Sequence, residues 1–290
     1  MKCPPFEYHR ATSVADAVGA LRAADGEGKI LAGGQSLVPV LALRMARPDV
    51  LVDVNRVPGL ADLALRDGVL HAGALVRHSA LAAQEAHPLA AEAAGWIGHT
   101  AIRSRGTLGG SLAHADPAAE LPAVLRACGG AVHVAGPGGT RRVDADGLFV
   151  GALQSDLAED EMIVGVELPV PDAWGFAEFA RRHGDFAVVS VVAARFGARL
   201  RVVVGGVAGT PYLVDAGALL DVDDAVGRAR VDALADAAAD DVDPVSDLHG
   251  SAGYRRALTR ELTRRALGDL LGDATRSPRP SAHSPAGEPA

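Results

Sequence analysis

Two short segments combine glycines with hydroxyl side chains: Ala32-Gly33-Gly34-Gln35-Ser36-Leu37, and Thr107-Leu108-Gly109-Gly110-Ser111-Leu112. The second runs on into Ala113-His114-Ala115-Asp116-Pro117-Ala118-Ala119-Glu120. The chemistry this pattern suits is anion binding. Glycine lets the main chain approach a phosphate closely and adopt positive φ. Amides at the start of a following helix then point at the oxygens, and the helix dipole favours negative charge. Ser36, Thr107 and Ser111 add hydroxyl donors. Two such segments facing each other would clamp a diphosphate without a lysine. No GxGxxG follows a strand signal, and no GxxxxGKS or GxxxxGKT occurs, so neither the dinucleotide fingerprint nor the P-loop is present. Alone, either Gly-Gly pair is ordinary turn punctuation. The pair together, with its neighbours, shifts the weight toward a ligand.

The elements that must hold these segments can be traced by pattern. Ser13 caps a helix whose apolar face is Val14, Ala17, Val18 and Leu21, and Asp25-Gly26 ends it. Lys29–Ala32 reads as a short buried strand broken by Gly33-Gly34, after which Ser36 caps a helix to about Met45. Val50–Val54 is a strand. Leu63–Leu65 and Val69–His71 flank the hairpin signal Asp67-Gly68. Helices are expected over about 79–86, 88–98 and 118–127. Strands are expected at Ala131–Ala135, Arg141–Val143 and Met162–Leu168, with Pro169 and Pro171 marking a boundary. Beyond it, Phe176–Phe179, Ala187–Phe196 and Leu200–Val207 have the β-branched content of strands, while Asp224–Ala238 and Ser251–Leu271 read as helices. The tail from Thr275, rich in Pro, Ser and Ala, lacks the apolar surface to offset ordering and is expected to be disordered.

Bulk properties narrow the class. A chain of 290 residues can bury a substantial core in two modest domains. Its formal charge of -8, with no basic stripe, argues against nucleic acid as a partner. Arg255, Arg256, Arg260, Arg264 and Arg265 share one helical stretch, but acidic neighbours dilute it and it reads as a solvated face. The only cysteines, Cys3 and Cys128, are far apart, which excludes a self-contained iron–sulfur or Cys-rich zinc site. The N-terminus has no apolar signal core and no run is long enough to span a bilayer, so the cytoplasm is the expected compartment.

With these residues in view, AGGQSL and IRSRGTLGGSLAHADPAAELP resemble the FAD-binding subunit of the xanthine dehydrogenase and aerobic carbon monoxide dehydrogenase family. RRHGDFAVVSVVAAR (181–195), GGVAGTP (205–211) and DLHGSAGYRRALTRELTRRAL (247–267) extend the likeness, in order, from about Phe6 to Leu267. The resemblance implies an α+β chain. Residues 1–171 would form an FAD-binding PCMH-type (vanillyl-alcohol oxidase-like) fold of two α/β subdomains, about 1–57 and 58–171. A small C-terminal α+β domain would cover 172–274, with 275–290 as tail.

The resemblance also implies site roles. Ala32, Gly33, Gly34, Gln35, Ser36 and Leu37 would contact the FAD diphosphate from one side, and Thr107, Gly109, Gly110 and Ser111 from the other. His114 and Asp116 would approach the ribityl or diphosphate region, and Glu120 would accept from ribityl hydroxyls. Ile163 would present backbone to the cofactor, and Phe186 would cover one face of the isoalloxazine ring. Plainer readings stand beside these: His114 as a polar loop residue, Glu120 as a helix-start acid favoured by the dipole, Phe186 as core. Arg103 and Arg105 would neutralise phosphate or simply be solvated, and Trp96 suits packing better than stacking. Gln35 stands where relatives often have His, and Ser111 where they often have Asn; both keep a hydrogen-bonding group. Residues 196–201 look shorter than is usual.

The function implied is electron relay. FAD would take electrons from two 2Fe–2S clusters in a small partner subunit and pass them to an external acceptor, while substrate is hydroxylated at the molybdopterin of a large subunit. The assembly implied is a dimer of heterotrimers. The rivals are a stand-alone FAD-dependent oxidase or dehydrogenase, which a reduction by substrate unaided would favour, and a non-catalytic accessory protein on the same fold, which failure to bind FAD would favour.

Overall fold

The computed structural model describes residues 2–182, 184–220 and 228–272. The helix start expected at Asp224 and the tail from Thr275 lie outside these residues. Three sheets follow one another along the chain.

The first is a three-stranded parallel sheet in the order β1 (Glu7–Arg10), β3 (Val50–Asp53), β2 (Gly28–Leu31). Parallel strands need crossovers, and helices supply them: α1 (Val14–Ala23) between β1 and β2, and α2 (Leu37–Ala42) between β2 and β3. Ser13 caps α1 through its side chain, accepting from the Asp16 amide at 3.1 Å, and Ala17, Val18 and Leu21 are the buried face. Ser36 does not cap α2 in this way. Its backbone is already helical (φ -96, ψ -45), and the extended geometry that aims a capping hydroxyl back at the first turn is missing. α2 also ends at Ala42, short of Met45. Strand β1 has no apolar alternation because it is a largely exposed edge strand, so no sequence pattern announces it.

The second sheet is antiparallel, in the order β4 (Leu63–Arg66), β5 (Val69–Gly73), β10 (Met162–Pro169), β6 (Ala131–Gly136), β7 (Gly139–Asp144). Between β5 and β6 the chain forms α3 (His78–Ala83), α4 (Pro88–Trp96), α5 (Thr100–Arg103), α6 (Leu108–His114) and α7 (Glu120–Ala127). A one-turn helix, α8 (Ala145–Leu148), and the ribbon β8 (Phe149–Gly151) with β9 (Gln154–Ser155) follow β7. Leu81, Leu89, Leu108, Leu112, Leu121 and Leu125 from the helices fill the main core against Leu70, Val132, Val134 and Val166 of the sheet.

The third sheet orders β11 (Ala173–Phe179), β12 (Val189–Phe196), β13 (Arg199–Gly205) and β14 (Tyr212–Leu213), all antiparallel. Gly197-Ala198 turns β12 into β13, with Gly197 at φ +57 in the first central position, as a tight two-residue hairpin requires. The shortness of 196–201 is that turn. Helices α9 (Arg228–Asp241) and α10 (Ala252–Leu270) cover one face through Leu234, Ala238, Leu262 and Ala266. Arg255 ties α10 to the strand ends: its guanidinium, 6% exposed, donates to the Val188 and Gly206 carbonyls at 2.6 and 2.7 Å and to Asp247 at 2.7 Å. The other face, through Phe176, Val192, Ala194 and Val203, joins the main core, with β12 and β13 against α7.

Candidate functional site

The first glycine segment leaves the carboxyl end of β2 and enters α2. Gly34 adopts φ +71, a conformation other residues rarely take. Gly33 lies against the second segment: a methyl there would stand 2.9 Å from Gly106 Cα and closer still to the Arg105 carbonyl oxygen. The two segments therefore touch. Both border one cleft of about 640 Å³. Ala32, Gly33, Gly34, Gln35, Ser36, Leu37, Thr107, Gly109, Gly110, Ser111, His114 and Ile163 all line it. A smaller hollow of about 450 Å³ opens on the other side of the first segment, with Asp53, Asn55, Ile102 and Arg105 in its wall.

The second segment departs from the expected loop. Leu108, Gly109, Gly110 and Ser111 are inside α6, and Thr107 is its cap, accepting from the Gly110 amide at 3.2 Å. The Leu108 and Gly109 amides donate to Val76 and Ala74, each at 2.9 Å. Amides already bonded within the protein cannot also grip a phosphate at full strength. The symmetrical two-sided grip by backbone amides is thus corrected. Among the described residues no carbonyl or side chain takes the amides of Gly33, Gly34, Gln35 or Ser36, so the first segment keeps its donors. The second offers close approach and the Ser111 hydroxyl. Gly109 permits that approach: a methyl on it would stand 2.5 Å from Ala74 Cβ and 2.8 Å from Ala74 Cα.

Three expected site residues lie off the cleft wall. Asp116 accepts from the Ala118 amide at 2.9 Å, closing the turn after α6. Glu120 is the first residue of α7 and only 4% exposed. Glu178 of β11 faces it. Burial pushes both carboxyls well above the usual carboxylate range; at Glu120 a backbone hydrogen bond opposes the rise and Asp116 adds to it, and at Glu178 the Glu120 carboxyl adds to it. Glu178 Oε2 and the hydroxyl of its cross-strand neighbour Ser190 are buried without hydrogen-bond partners. Glu120 is therefore more than a helix-start acid. Phe186 is 64% exposed, which corrects its reading as core. Its loop reaches the first domain, where Gly184 packs on the His99 ring. Ile163, by contrast, sits on the cleft at a bulge in β10, where an irregularity in strand pairing commonly re-aims a side chain.

The side readings also resolve. Trp96 packs on Phe176, ring centres 6.1 Å apart, and donates to Glu92 at 3.1 Å. Arg103 donates to the Ile97 and Gly98 carbonyls at 3.0 and 2.8 Å and is tied down locally. Sequence reasoning missed His78, which lines the cleft beneath Gly106. Burial, with Arg103 and Arg77 adding to it and the Thr107 backbone opposing, holds it down to about 4. Neither ring nitrogen has a hydrogen-bond partner. It also missed Asn55 and Arg77, which belong to no periodic pattern. Among the described residues no three His, Cys, Asp or Glu side chains gather as a metal site, and no helix is long and apolar enough to cross a membrane.

The cleft suits a long, partly apolar ligand with an anionic centre. Its walls combine Leu21, Ile30, Val40 and Leu75 with unbonded amides and hydroxyls at the middle, and Arg105 stands nearby. An adenine dinucleotide has that character.

Comparison with known proteins agrees. Residues 4–171 match the model of the FAD binding domain in molybdopterin dehydrogenase, and residues 174–270 that of the CO dehydrogenase flavoprotein C-terminal domain. The chain is 42% identical over 278 residues to the nicotine 6-hydroxylase medium subunit of Paenarthrobacter nicotinovorans, covering 92% of this chain and 98% of that one. It is 35% identical over 276 residues to the carbon monoxide dehydrogenase medium chain of Hydrogenophaga pseudoflava, covering 91% and 96%. The crystal structure of quinoline 2-oxidoreductase from Pseudomonas putida 86 superposes with a TM-score of 0.88 at 34% identity, over 95% of this chain and 100% of that one. The chain belongs to the family of FAD-binding flavoprotein subunits found in carbon monoxide dehydrogenase and related molybdenum hydroxylases.

Proposed function

We propose that this chain carries FAD in the 640 Å³ cleft and serves as the electron-transfer subunit of a cytoplasmic molybdenum hydroxylase. Bound FAD supplies the exchange between single electrons from 2Fe–2S clusters and the electron pair taken by an external acceptor. The chain's residues bind and orient it. The free amides of Gly33, Gly34, Gln35 and Ser36 receive the diphosphate, with the Ser111 hydroxyl opposite. Ile163 offers backbone at the cleft edge. Glu120 and Glu178 share a buried junction between the FAD domain and the third sheet; Glu120 would reach the ribityl hydroxyls from behind the cleft wall, with His114 on that wall and Asp116 in the turn between them. Phe186, exposed on its loop, covers the ring.

The observation that carries this reading is the contact between the two glycine segments at the border of one cleft. Two cysteines cannot hold the clusters, so the partners are a small 2Fe–2S subunit and a large molybdopterin subunit, paired as a dimer of heterotrimers. Purification of the native complex tests this. Three co-eluting chains with molybdenum, iron and FAD support it. A lone yellow chain reduced directly by a small organic substrate would favour a stand-alone oxidase, and a colourless chain that takes up no FAD would favour an accessory role.

A further inference from the structure

The two glycine segments are joined by more than their own contact. Asn55, just past the end of β3, donates through Nδ2 to the Leu31 and Ala32 carbonyls at 3.3 and 2.8 Å, directly before Gly33. Its Oδ1 accepts from Arg77 Nη2 at 2.7 Å. Arg77 then donates through Nη1 to the Arg105 carbonyl, directly before Gly106. That is the same carbonyl against which Gly33 rests. Only the nitrogen of the Asn55 amide can donate to carbonyls, and only its oxygen can accept from a guanidinium, so its orientation is fixed by its partners. Asp53 holds it further, accepting from the Asn55 amide at 2.8 Å and from Nδ2 at 2.7 Å, while Tyr8 donates to the other carboxylate oxygen. On the far side, the residues next to Arg77 continue the tie: the His78 amide donates to the Gly106 carbonyl at 3.0 Å, and Arg77 bridges to Thr107.

We propose that Asn55 and Arg77 act as one clamp that fixes the spacing of the two glycine segments and thereby sets the affinity and orientation of the cofactor held between them. This rests on the FAD reading above. Neither side chain needs to touch FAD; both are positioning residues. A guanidinium suits the task because its planar fork reaches two acceptors in fixed directions, which a lysine ammonium on a flexible stem does not. Loss of either member breaks the only side-chain route between Ala32 and Arg105 among the described residues, leaving each segment to its own backbone ties. A wall displaced by about 1 Å costs on the order of 100-fold where binding groups must meet a ligand together.

The test is a double-mutant cycle in the full-length chain with Asn55→Ala, Arg77→Ala and both, plus Arg77→Lys. FAD affinity and dissociation rate are read by flavin fluorescence, and ring orientation by visible circular dichroism of the bound FAD. Each single variant is expected to weaken FAD binding by about 10- to 100-fold and to alter the dichroism, with Arg77→Lys recovering less than half of the loss in log units. The double variant is expected to be no more than about threefold worse than the weaker single, the mark of one device. Independent, multiplying effects would overturn the proposal, as would FAD binding within twofold of the parent. Hydrogen–deuterium exchange of the FAD-free chain separates this from the functional reading. The clamp predicts faster exchange at Val38 and Val40, whose amides donate to the Gly34 and Ser36 carbonyls, together with 106–109, in either single variant. Failure of the parent chain to bind FAD would sink the functional reading alone, and unchanged exchange at one segment would sink the clamp.

Discussion

Gly109 offers the sharpest check on how the cleft is built. In most helix interiors, replacing glycine by alanine stabilises by about 0.5–1 kcal/mol, because alanine has less backbone freedom to lose. Gly109 is not at positive φ, so its backbone would accept alanine. The added methyl, however, would lie 2.5 Å from Ala74 Cβ, where ordinary contact begins at 3.4 Å. Helix α6 must then withdraw by about 0.9 Å, carrying Gly110 and Ser111 with it. Overpacking of this kind costs about 1–3 kcal/mol. Set against the propensity gain, Gly109→Ala should be destabilised by about 0–2.5 kcal/mol. Gly19, exposed in the middle of α1 with nothing within 4 Å, is the matched control, and Gly19→Ala should gain about 0.5–1 kcal/mol. Urea unfolding of both variants reads the difference in sign. FAD titration reads the consequence: affinity lower by about 10- to 100-fold in Gly109→Ala, from a displaced wall, and unchanged in Gly19→Ala. If Gly109→Ala were as stable as Gly19→Ala and bound FAD as the parent does, the close packing of α6 on Ala74 would not be what shapes the cleft.

Other outcomes follow from the same structure. Because the Glu178 carboxyl titrates higher folded than unfolded, the folded chain holds its proton more tightly, and stability falls as pH rises from the ordinary carboxylate range toward alkaline values. Glu178→Gln should reduce that fall, leaving the share due to Glu120, and gain about 1–3 kcal/mol at pH 8.5 but little at pH 5, by urea midpoints; a pH-independent shift would contradict this. Cys128, buried and with its thiol pushed up to about 12, should react with a thiol reagent only at the rate of unfolding, so at pH 8 one fast equivalent is expected, at half-buried Cys3; two fast equivalents would refute the burial. Arg255→Met leaves two buried carbonyls without a donor and should cost about 2–4 kcal/mol in urea unfolding, with Arg255→Lys recovering less than half; a cost below 1 kcal/mol would show that α10 is held otherwise.

What the sequence made legible were features with strong local causes. The α1 cap at Ser13, the Asp67-Gly68 hairpin and the three longer strands of the third sheet declare themselves through turn chemistry or β-branched runs, whereas the two-residue β14 does not. Twelve of the expected site residues meet at one cleft because the glycine motifs carry the geometry that places them. What stayed hidden depends on partners far along the chain. Strand β1 has no apolar alternation because it lies at an edge. The α6 amides point inward because Ala74 and Val76, more than 30 residues earlier, supply carbonyls that no local pattern reveals. Asn55 and Arg77 look like ordinary polar residues until the fold brings the carbonyls at 31, 32 and 105 beside them. Glu178 is only one residue of an expected strand until the docking of the third sheet on α7 brings it beside Glu120.

The cleft wall is drawn mainly from 28–40, 106–114 and 150–163, with Leu21, Val54, Leu60, Leu75 and His78 besides. During synthesis the first emerges from the ribosome more than a hundred residues before the last, with its amides bare. No nascent fragment ending before Ile163 has a complete wall, so cofactor capture is a late event in the life of the chain, after the β10 strand has entered its sheet. A chain halted before that point would present an open crevice with one wall missing.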